Sequence, residues 1–283
     1  MQTFTADDGL ALYRLDGPAP QRPPRGTVLL VHGLGEHVGR YAPVMARLAA
    51  GGWAVVGYDQ RGHGRSPGAR GAIPAADSLL ADLGAVIRQL RPARPGPLLL
   101  LGHSMGGLVV GRFVAEGLAD APAAWWQAVD GLVMSSPALD PGMSRGQQLL
   151  LALAAPLAPG LALGNGLQPG WICRDPAVVR AYLADPLVHD RVTPRLVRFI
   201  VDAGLQVRQG AARWSVPSLL LYAGADRCVA PRGSAAFATA APTAWVQARC
   251  YAGLAHEIFN EPEQAQVLAD LDAWLSARWP WPA

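Results

Sequence analysis

The sequence predicts an α/β fold, in which helices cover both faces of a mostly parallel β-sheet and one helical segment is inserted as a cap. The first observation is that short apolar runs alternate with segments of helical apolar spacing over most of the chain. The second is that residues 140–213 break this alternation and contain no convincing strand. The chain has 283 residues, 51% of them hydrophobic, which is enough for a large core. We therefore predict a core made of residues 1–139 and 214–283, and a helical cap made of residues 140–213.

Before the cap, the predicted elements follow one another as they do in a parallel sheet. Asp8-Gly9 is typical of a hairpin turn, and Gly51-Gly52 is typical of a left-handed stop at the end of a helix. The pattern predicts strand 27–31, helix 41–50, strand 53–58, helix 76–90, a strand beginning near Leu98, and strand 131–135. After the cap, strands 218–222 and 245–251 are expected to extend the same sheet.

Residues 97–107, PLLLLGHSMGG, form the most informative segment. An apolar strand that ends in G-x-S-x-G and continues as a helix is typical of a nucleophile elbow, a tight turn that exposes its serine above the sheet. Gly102 and Gly106 flank Ser104 at the two positions where a Cβ would crowd the neighbouring backbone. The pattern alone is weak, but the leucine run before it and the helical spacing after it make it specific. Ser104 is therefore the predicted nucleophile.

A serine hydroxyl needs a base to take its proton and an acid to orient that base. In this kind of fold they follow the serine in the order Asp or Glu, then His. Asp226 lies in the loop after strand 218–222, and His256, in the loop after strand 245–251, is the single histidine that follows Asp226. Asp202 is a rival acid, but its segment has helical spacing, where a surface carboxylate is expected. We predict Asp226 as the acid and His256 as the base.

Two backbone N–H groups are expected to stabilise the oxyanion. Met105 follows the nucleophile at the start of a helix, and Leu34 lies in the loop after strand 27–31. His32, at the end of that strand, is expected to be structural. Neither C-x-x-C nor H-x-x-x-H spacing occurs, so we predict neither a metal nor a cofactor.

Residues 58–66, YDQRGHGRS, have the appearance of an anion-binding loop. The alternative is that Asp59, Arg61 and His63 hold one another and the turn in place through charge-assisted hydrogen bonds. We expect the second arrangement and leave these residues out of the catalytic set.

Composition excludes several functions. All 24 basic residues are Arg, which excludes Walker A phosphate binding and Schiff-base chemistry, because both need Lys. The net charge is only +3 and no basic run contains interleaved aromatic residues, so a nucleic acid is not an expected partner. Cys173, Cys228 and Cys250 are widely spaced and odd in number, and residues 1–15 lack a signal-peptide pattern. Free thiols in a cytoplasmic protein are therefore expected.

The predicted cap carries the whole net charge, because residues 140–213 hold eight Arg, five Asp and no Glu. It also contains the leucine-rich stretches 149–153 and 157–163. Pro156, Pro159 and Gly160 interrupt these stretches, so a membrane-spanning helix is not expected. Two alternatives remain for the leucines: they pack onto the core, or they form an exposed surface that faces lipid.

Together, the motifs resemble those of the monoacylglycerol lipase and lysophospholipase branch of the serine α/β-hydrolases. The resemblance covers nearly the whole chain through HGLGEH (32–37), Arg40-Tyr41, YDQRGHGRS (58–66), GHSMGG (102–107), SSPAL (135–139), DPL (185–187) and GADR (224–227). It implies the α/β-hydrolase fold and an esterase whose triad is Ser104, Asp226 and His256, with oxyanion donors at Leu34 and Met105. It also implies a lipid ester substrate, an acyl tunnel under the cap, and peripheral contact of the cap with a membrane.

The chain departs from this family at one informative position. Some members have a second histidine three residues after the catalytic one, near the glycerol end of the site, where this chain has Phe259. Cys228 is similar to a family cysteine close to the site, which implies sensitivity to thiol reagents; a small buried side chain is the alternative. Substrate contacts are expected at Glu36, Arg40, Leu150, Leu153, Cys228 and Phe259.

We therefore predict a serine carboxylic-ester hydrolase that cleaves monoacylglycerols through an acyl-enzyme intermediate. The alternatives on the same fold are a lysophospholipase or general carboxylesterase, an amidase or aminopeptidase, and a binding module without activity. An aminopeptidase would favour acidic residues in the cap to anchor the α-amine of its substrate, and the cap has few.

Overall fold

The computed structural model describes residues 2–94 and 96–280. Its strands are β1 (Thr3–Thr5), β2 (Ala11–Asp16), β3 (Thr27–Val31), β4 (Ala54–Tyr58), β5 (Leu98–His103), β6 (Gly131–Ser135), β7 (Leu163–Gly164), β8 (Arg191–Val192), β9 (Ser218–Ala223) and β10 (Val246–Tyr251). Its α-helices are α1 (Ala42–Ala50), α2 (Ser78–Leu90), α3 (Met105–Glu116), α4 (Arg145–Leu157), α5 (Pro176–Ala184), α6 (Pro194–Gly210), α7 (Pro231–Ala240) and α8 (Gln264–Arg278).

Within the described residues, eight strands form one sheet in the order β1-β2-β4-β3-β5-β6-β9-β10. From β4 to β10 along this order, neighbouring strands pair in parallel. By contrast, β2 pairs antiparallel with both β1 and β4, and the hairpin predicted at Asp8-Gly9 joins β1 to β2. The sheet is thus mostly parallel, and the predicted α/β-hydrolase fold class is confirmed.

Helices cover both faces of the sheet because its central strands are apolar on both sides. In β3, Leu29 and Val31 pack into one buried cluster, whereas Val28 and Leu30 pack into another. The first cluster includes side chains of α2, α3 and α6, and the second includes side chains of α1 and α8. Successive side chains of a strand point to opposite faces, so a continuous apolar run places a core on each side.

The predicted boundaries differ from the observed ones by few residues. Helix α1 begins at Ala42, because a 3₁₀ turn takes up Val38–Tyr41, and α2 begins at Ser78. Gly52 has φ +86°, the left-handed conformation expected after α1. No element was predicted where α7 and α8 lie.

The chain forms the cap, here meaning residues 140–213, between β6 and β9. Each of its three α-helices follows a residue whose side chain accepts a hydrogen bond from the first turn: Ser144 for α4, Asp175 for α5 and Thr193 for α6. The expectation that the cap lacks strands is wrong in one detail, because β7 and β8 pair antiparallel. Each has two residues, which is too short for a pattern to be recognised. The division into core and cap at residues 140 and 213 stays a prediction.

The leucines of the cap are mostly exposed. Leu149, Leu150, Leu153 and Leu157 are each more than half exposed, whereas Leu151 is buried. Packing onto the core is therefore wrong as an account of these stretches, apart from Leu151. Among residues 2–94 and 96–280, no helix is both long and apolar enough to span a membrane.

Candidate active site

The serine of the G-x-S-x-G motif lies in a sharp turn between β5 and α3. Ser104 has φ +55°, in the left-handed region that residues with a side chain rarely adopt. A Cβ on Gly106 would lie 2.1 Å from the backbone oxygen of Val31, and one on Gly102 would lie 2.3 Å from that of Gly106. Both positions therefore require glycine, as expected of a nucleophile elbow.

The loop expected to supply an oxyanion donor lies against this turn. A Cβ on Gly33 would lie 3.1 Å from the Cβ of Ser104. Leu34 and Met105 line the same cavity as Ser104. The N–H of Met105 belongs to the first residue of α3, where a helix leaves its amide groups without backbone partners. This arrangement can stabilise negative charge that develops next to Ser104.

Asp226 and His256 are bonded to each other. The distance from Asp226 Oδ2 to His256 Nδ1 is 2.7 Å, and both side chains are buried. The other oxygen of Asp226 accepts from the backbone N–H groups of Cys228 and Val229. Burial alone would lower the pKa of His256, but the carboxylates of Asp226, Glu257 and Glu36, Asp226 foremost, together outweigh burial and raise that pKa above its usual value. Asp226 thus orients His256 and favours its protonated form.

A second imidazole, that of His103, contacts the ring of His256. The ring of His103 lies 4.8 Å from that of His256, and its Nδ1 is 3.0 Å from Ser135 Oγ. Burial lowers the pKa of His103 to about 3, so this ring is neutral at neutral pH. Because His103 directly precedes Ser104, its contact brings the His256 ring beside the elbow.

A buried ion network joins the loop of Leu34 to the loop of His256. Arg40 Nη1 donates to Glu36 Oε2 at 2.7 Å, and its guanidinium donates to both carboxylate oxygens of Glu257 at 2.7 and 2.8 Å. Glu36 Oε1 accepts from the backbone N–H of Gly33 and from the hydroxyl of Tyr41, each at 2.6 Å. Burial would raise the pKa of Glu36, but Arg40 holds it well below its usual range. Glu36 is therefore ionised, and it fixes the turn at Gly33.

Four of the six expected substrate contacts are placed elsewhere. Glu36 and Arg40 belong to the ion network, because buried charges are stable only when paired. Phe259 is buried in the core cluster that includes α1 and α8, and Leu153 is exposed on α4. None of these four lines the cavity at Ser104, so contact of their side chains with substrate stays a prediction.

The other two expected contacts, Leu150 and Cys228, do line this cavity. Cys228 is buried against Ile172 and Cys173, and burial raises the pKa of its thiol. Cys228 therefore fills space as a protonated thiol. This is the alternative to thiol sensitivity that the sequence left open.

The cavity at Ser104 has a volume of about 560 Å³ and mostly apolar walls. Among its described lining residues, Arg227 is the single charged side chain. The guanidinium carbon of Arg227 lies 4.8 Å from the centre of the Trp171 ring. Sequence analysis missed both residues: Arg227 stands in the GADR motif, which was used only to locate Asp226, and no local pattern marks Trp171.

The cap contacts both catalytic loops. The backbone N–H of His189 donates to the backbone oxygen of Gly35 at 2.8 Å. Glu261, which is buried, accepts from the backbone N–H of Ala255 at 3.0 Å and from Arg174 Nε at 2.6 Å. The cap therefore bonds directly to the backbone next to Leu34. It reaches the backbone next to His256 through Glu261 and through the N–H of Glu257, which donates to the backbone oxygen of Ile172 at 2.7 Å.

Two residues whose side chains could have been catalytic, His32 and Asp202, have structural roles. His32 is buried, with its Nδ1 2.8 Å from the backbone oxygen of Gly33 and its Nε2 accepting from the backbone N–H of Gln60. Asp202 is exposed on α6 and pairs with Arg198.

The loop of residues 58–66 differs from expectation in its partners. Asp59 accepts from the backbone N–H groups of Val38 and Arg65, while Arg61 binds both oxygens of Asp82. Asp59 and Arg61 are therefore not bonded to each other. Asp59 holds the turn from within through Arg65, His63 Nδ1 lies 2.9 Å from the backbone oxygen of Arg61, and Arg61 ties the loop to Asp82.

Asp226, Cys228 and His256 bring potential metal ligands within 4.8 Å of one another, the one such group of three among the described residues. Metal ligands must be deprotonated and must point at a common centre. Here the Asp226 and His256 atoms are already hydrogen-bonded to each other, and the Cys228 thiol is protonated. The hydrogen bond between Asp226 and His256 favours proton transfer at His256. That the protein binds no metal stays a prediction.

The chain is similar to one protein family and, among other proteins, to the three named here. Residues 22–263 match the family described as serine aminopeptidase, S33. The chain is 35% identical over 260 residues to a monoacylglycerol lipase of Mycolicibacterium smegmatis, and this alignment covers 90% of each protein. It is 29% identical over 249 residues to a phospholipase of Bacillus subtilis, covering 86% of this chain and 92% of that protein. The crystal structure of Paleococcus ferrophilus monoacylglycerol lipase matches with a TM-score of 0.83 at 35% identity, covering 94% of this chain and 99% of the other.

Proposed function

This chain belongs to the serine aminopeptidase S33 family of hydrolases, and from that premise we propose that it hydrolyses monoacylglycerols to fatty acid and glycerol, with Ser104 as nucleophile. The observation that carries the proposal is the buried 2.7 Å bond between Asp226 and His256, found in the same chain as a serine that the elbow holds at positive φ. The similarity to two monoacylglycerol lipases, each at 35% identity over most of the chain, supports the substrate class.

The mechanism follows from these positions. His256 takes the hydroxyl proton of Ser104 as the oxygen attacks the ester carbonyl, and the N–H groups of Leu34 and Met105 donate to the resulting oxyanion. His256 then gives the proton to the leaving alcohol. Water attacks the acyl-enzyme by the same route and releases the fatty acid. Asp226 keeps a proton on Nδ1 of His256, so that Nε2 is the base.

The cavity supports an ester with an apolar acyl group over a peptide with a free α-amine. An α-amine is positively charged near neutral pH and needs a carboxylate partner. No carboxylate is among the described residues that line the cavity, and Arg227 would repel such an amine. These features disfavour the aminopeptidase activity that the family's description suggests.

We also propose peripheral membrane contact through α4. Its exposed leucines Leu149, Leu150, Leu153 and Leu157 provide an apolar surface, and the positive charge of the cap would favour anionic lipid. A cytoplasmic location is proposed with it. The free thiols of Cys173, Cys228 and Cys250 support a reducing compartment.

Replacing the nucleophile tests the proposed activity. Ser104→Ala should abolish both the hydrolysis of monoacylglycerol and covalent labelling by a fluorophosphonate, because no other oxygen takes the place of the hydroxyl. The matched control is Ser276→Ala, at an exposed serine of α8, which should keep both. Near wild-type turnover in Ser104→Ala would refute the mechanism, and a wild-type protein that is neither labelled nor active would be a binding module.

A further inference from the structure

We infer that Arg227 binds a phosphate group on the alcohol part of the substrate, so that single-chain esters with an anionic head group are hydrolysed in this cavity. The inference rests on the proposed esterase function and deepens it by naming the head-group class.

The guanidinium of Arg227 has no anionic partner in the part of the chain that the structure describes. The other arginines that approach the catalytic loops are paired: Arg40 with Glu36 and Glu257, and Arg174 with Glu261. For Arg227 the structure shows a ring contact with Trp171 and neither an ion pair nor a hydrogen bond. Its planar fork of N–H donors is therefore available, and this fork matches two oxygens of one phosphate.

Trp171 orients this cation. A guanidinium stacked on an aromatic face loses part of its rotational freedom while the N–H groups at its edge stay free to donate. Trp171 belongs to the cap and Arg227 to the loop of Asp226, so the stack also bridges the cap and the core at the wall of the cavity. The contact with Trp171 thus already restricts the Arg227 side chain, so binding an anion costs less conformational entropy.

The position of Arg227 favours the alcohol part of an ester. The leaving alcohol takes its proton from His256, so it departs on the side of the site where His256 lies. Arg227 directly follows Asp226, the partner of His256, and lines the cavity together with Ser104. A phosphate attached to the glycerol would therefore approach the loop that carries Arg227.

The surroundings strengthen the attraction. No carboxylate is among the described lining residues, the walls are mostly apolar, and the cap has an excess of three positive charges. Arg227 is itself exposed, so an anion can reach its guanidinium, and a positive surface draws anions toward the opening.

A matched pair of substrates tests the inference. Octanoylglycerol and its phosphate ester differ only in the phosphate, so the ratio of their kcat/KM values isolates the head group. We expect Arg227→Gln to lower this ratio, phosphate ester over neutral ester, by about tenfold, and Arg227→Lys to restore part of it, because Lys keeps the charge without the fork. The control Arg180→Gln removes the same charge from an exposed position in the cap outside the cavity, and should leave the ratio at its wild-type value.

Equal ratios in wild type, Arg227→Gln and Arg180→Gln would overturn the inference while leaving the esterase function intact. A direct binding measurement separates the two proposals further. By calorimetry, octyl phosphate should bind wild type about tenfold more tightly than it binds Arg227→Gln, whether or not any ester is hydrolysed. If octanoate loses as much affinity as octyl phosphate in Arg227→Gln, then Arg227 holds the carboxylate of the released fatty acid, and the head-group assignment is wrong.

Discussion

His256 shows how single side chains set the chemistry of this site. Its raised pKa means that it stays protonated to a higher pH than an ordinary histidine, whose pKa is about 6.5. Only the neutral ring can accept the proton of Ser104. Activity should therefore be lost as the pH falls through a midpoint above about 6.5, which the acid limb of the kcat/KM profile would report.

Asp226 is the main source of that shift, so changing it should alter both the rate and the pH profile. Asp226→Asn is expected to lower kcat by about 10³ to 10⁴, because the amide neither orients the required tautomer nor stabilises the imidazolium. The acid limb should also move to lower pH. Asp202→Asn is the control and should be nearly silent, since Asp202 is exposed on α6. A severe defect in Asp202→Asn together with a mild one in Asp226→Asn would mean that the acid is misassigned.

The elbow between β5 and α3 depends on close approach of three backbone segments. Gly106→Ala would place a methyl group 2.1 Å from a backbone oxygen of β3, and that strand cannot move without disturbing the centre of the sheet. We expect a loss of about 1–3 kcal/mol or more in the free energy of unfolding, measured by denaturant titration. Gly146→Ala is the matched control, because a Cβ there meets nothing within 4 Å. Equal stability of the two variants would contradict this account of the turn.

Helix α4 presents leucines to solvent, and the membrane proposal can be tested on them. Leu149→Ser combined with Leu153→Ser, two exposed positions outside the cavity, should weaken binding to anionic vesicles and slow the hydrolysis of long-chain esters, because apolar burial supplies most of such affinity. Hydrolysis of a short soluble ester by the variant serves as an internal comparison, and Leu205→Ser, at an exposed leucine of α6, is the control. Added salt should reduce vesicle binding only partly, since screening leaves the apolar contribution intact. If the wild-type protein does not bind vesicles, membrane contact by α4 is excluded.

The protein as a whole should lose stability in mild acid because most of its histidines are buried and neutral. Burial lowers the pKa values of four of them: His32, His63, His103 and His189. In the unfolded chain these rings take up protons near pH 6.5, so the unfolded state binds more protons and stability falls as the pH drops below about 6.5. His256 acts in the opposite direction, contributing stability at low pH that is lost as the pH rises through its raised pKa, but it is one group against four.

Thermal unfolding checks this expectation. The Tm should fall steadily between about pH 7 and pH 5. His189→Gln, which removes one of the four rings at a partly exposed position, should make that fall shallower. A Tm that is constant or rises on acidification would contradict the proton balance.

Much of the fold could be predicted because its central elements are encoded by nearby residues. The apolar runs that became β3, β5 and β9 are long enough to be recognised, and their order led to a parallel sheet. The motifs that stand near their ends led to the family resemblance, and both predictions are confirmed. The paired two-residue strands β7 and β8 escaped prediction because so short a strand has no periodicity. At the site, Ser104, Asp226 and His256 could be located from strand ends and chain order. The contacts of Arg40 could not be, because Arg40 and Glu257 are 217 positions apart.

The sequence by itself determined where the elbow lies, since only glycine fits at residues 102 and 106 and a serine stands between them. Tertiary structure alone decided which charges are paired and which face a cavity. Glu36 and Arg40 were expected to contact substrate, but they form an ion pair inside the protein. Arg227 was not predicted to have a role, but it lines the cavity without a carboxylate partner among the described residues. The physical reason is that steric limits on φ act within one turn of chain, whereas ion pairing depends on distances in space that exist only once the sheet and the cap have packed.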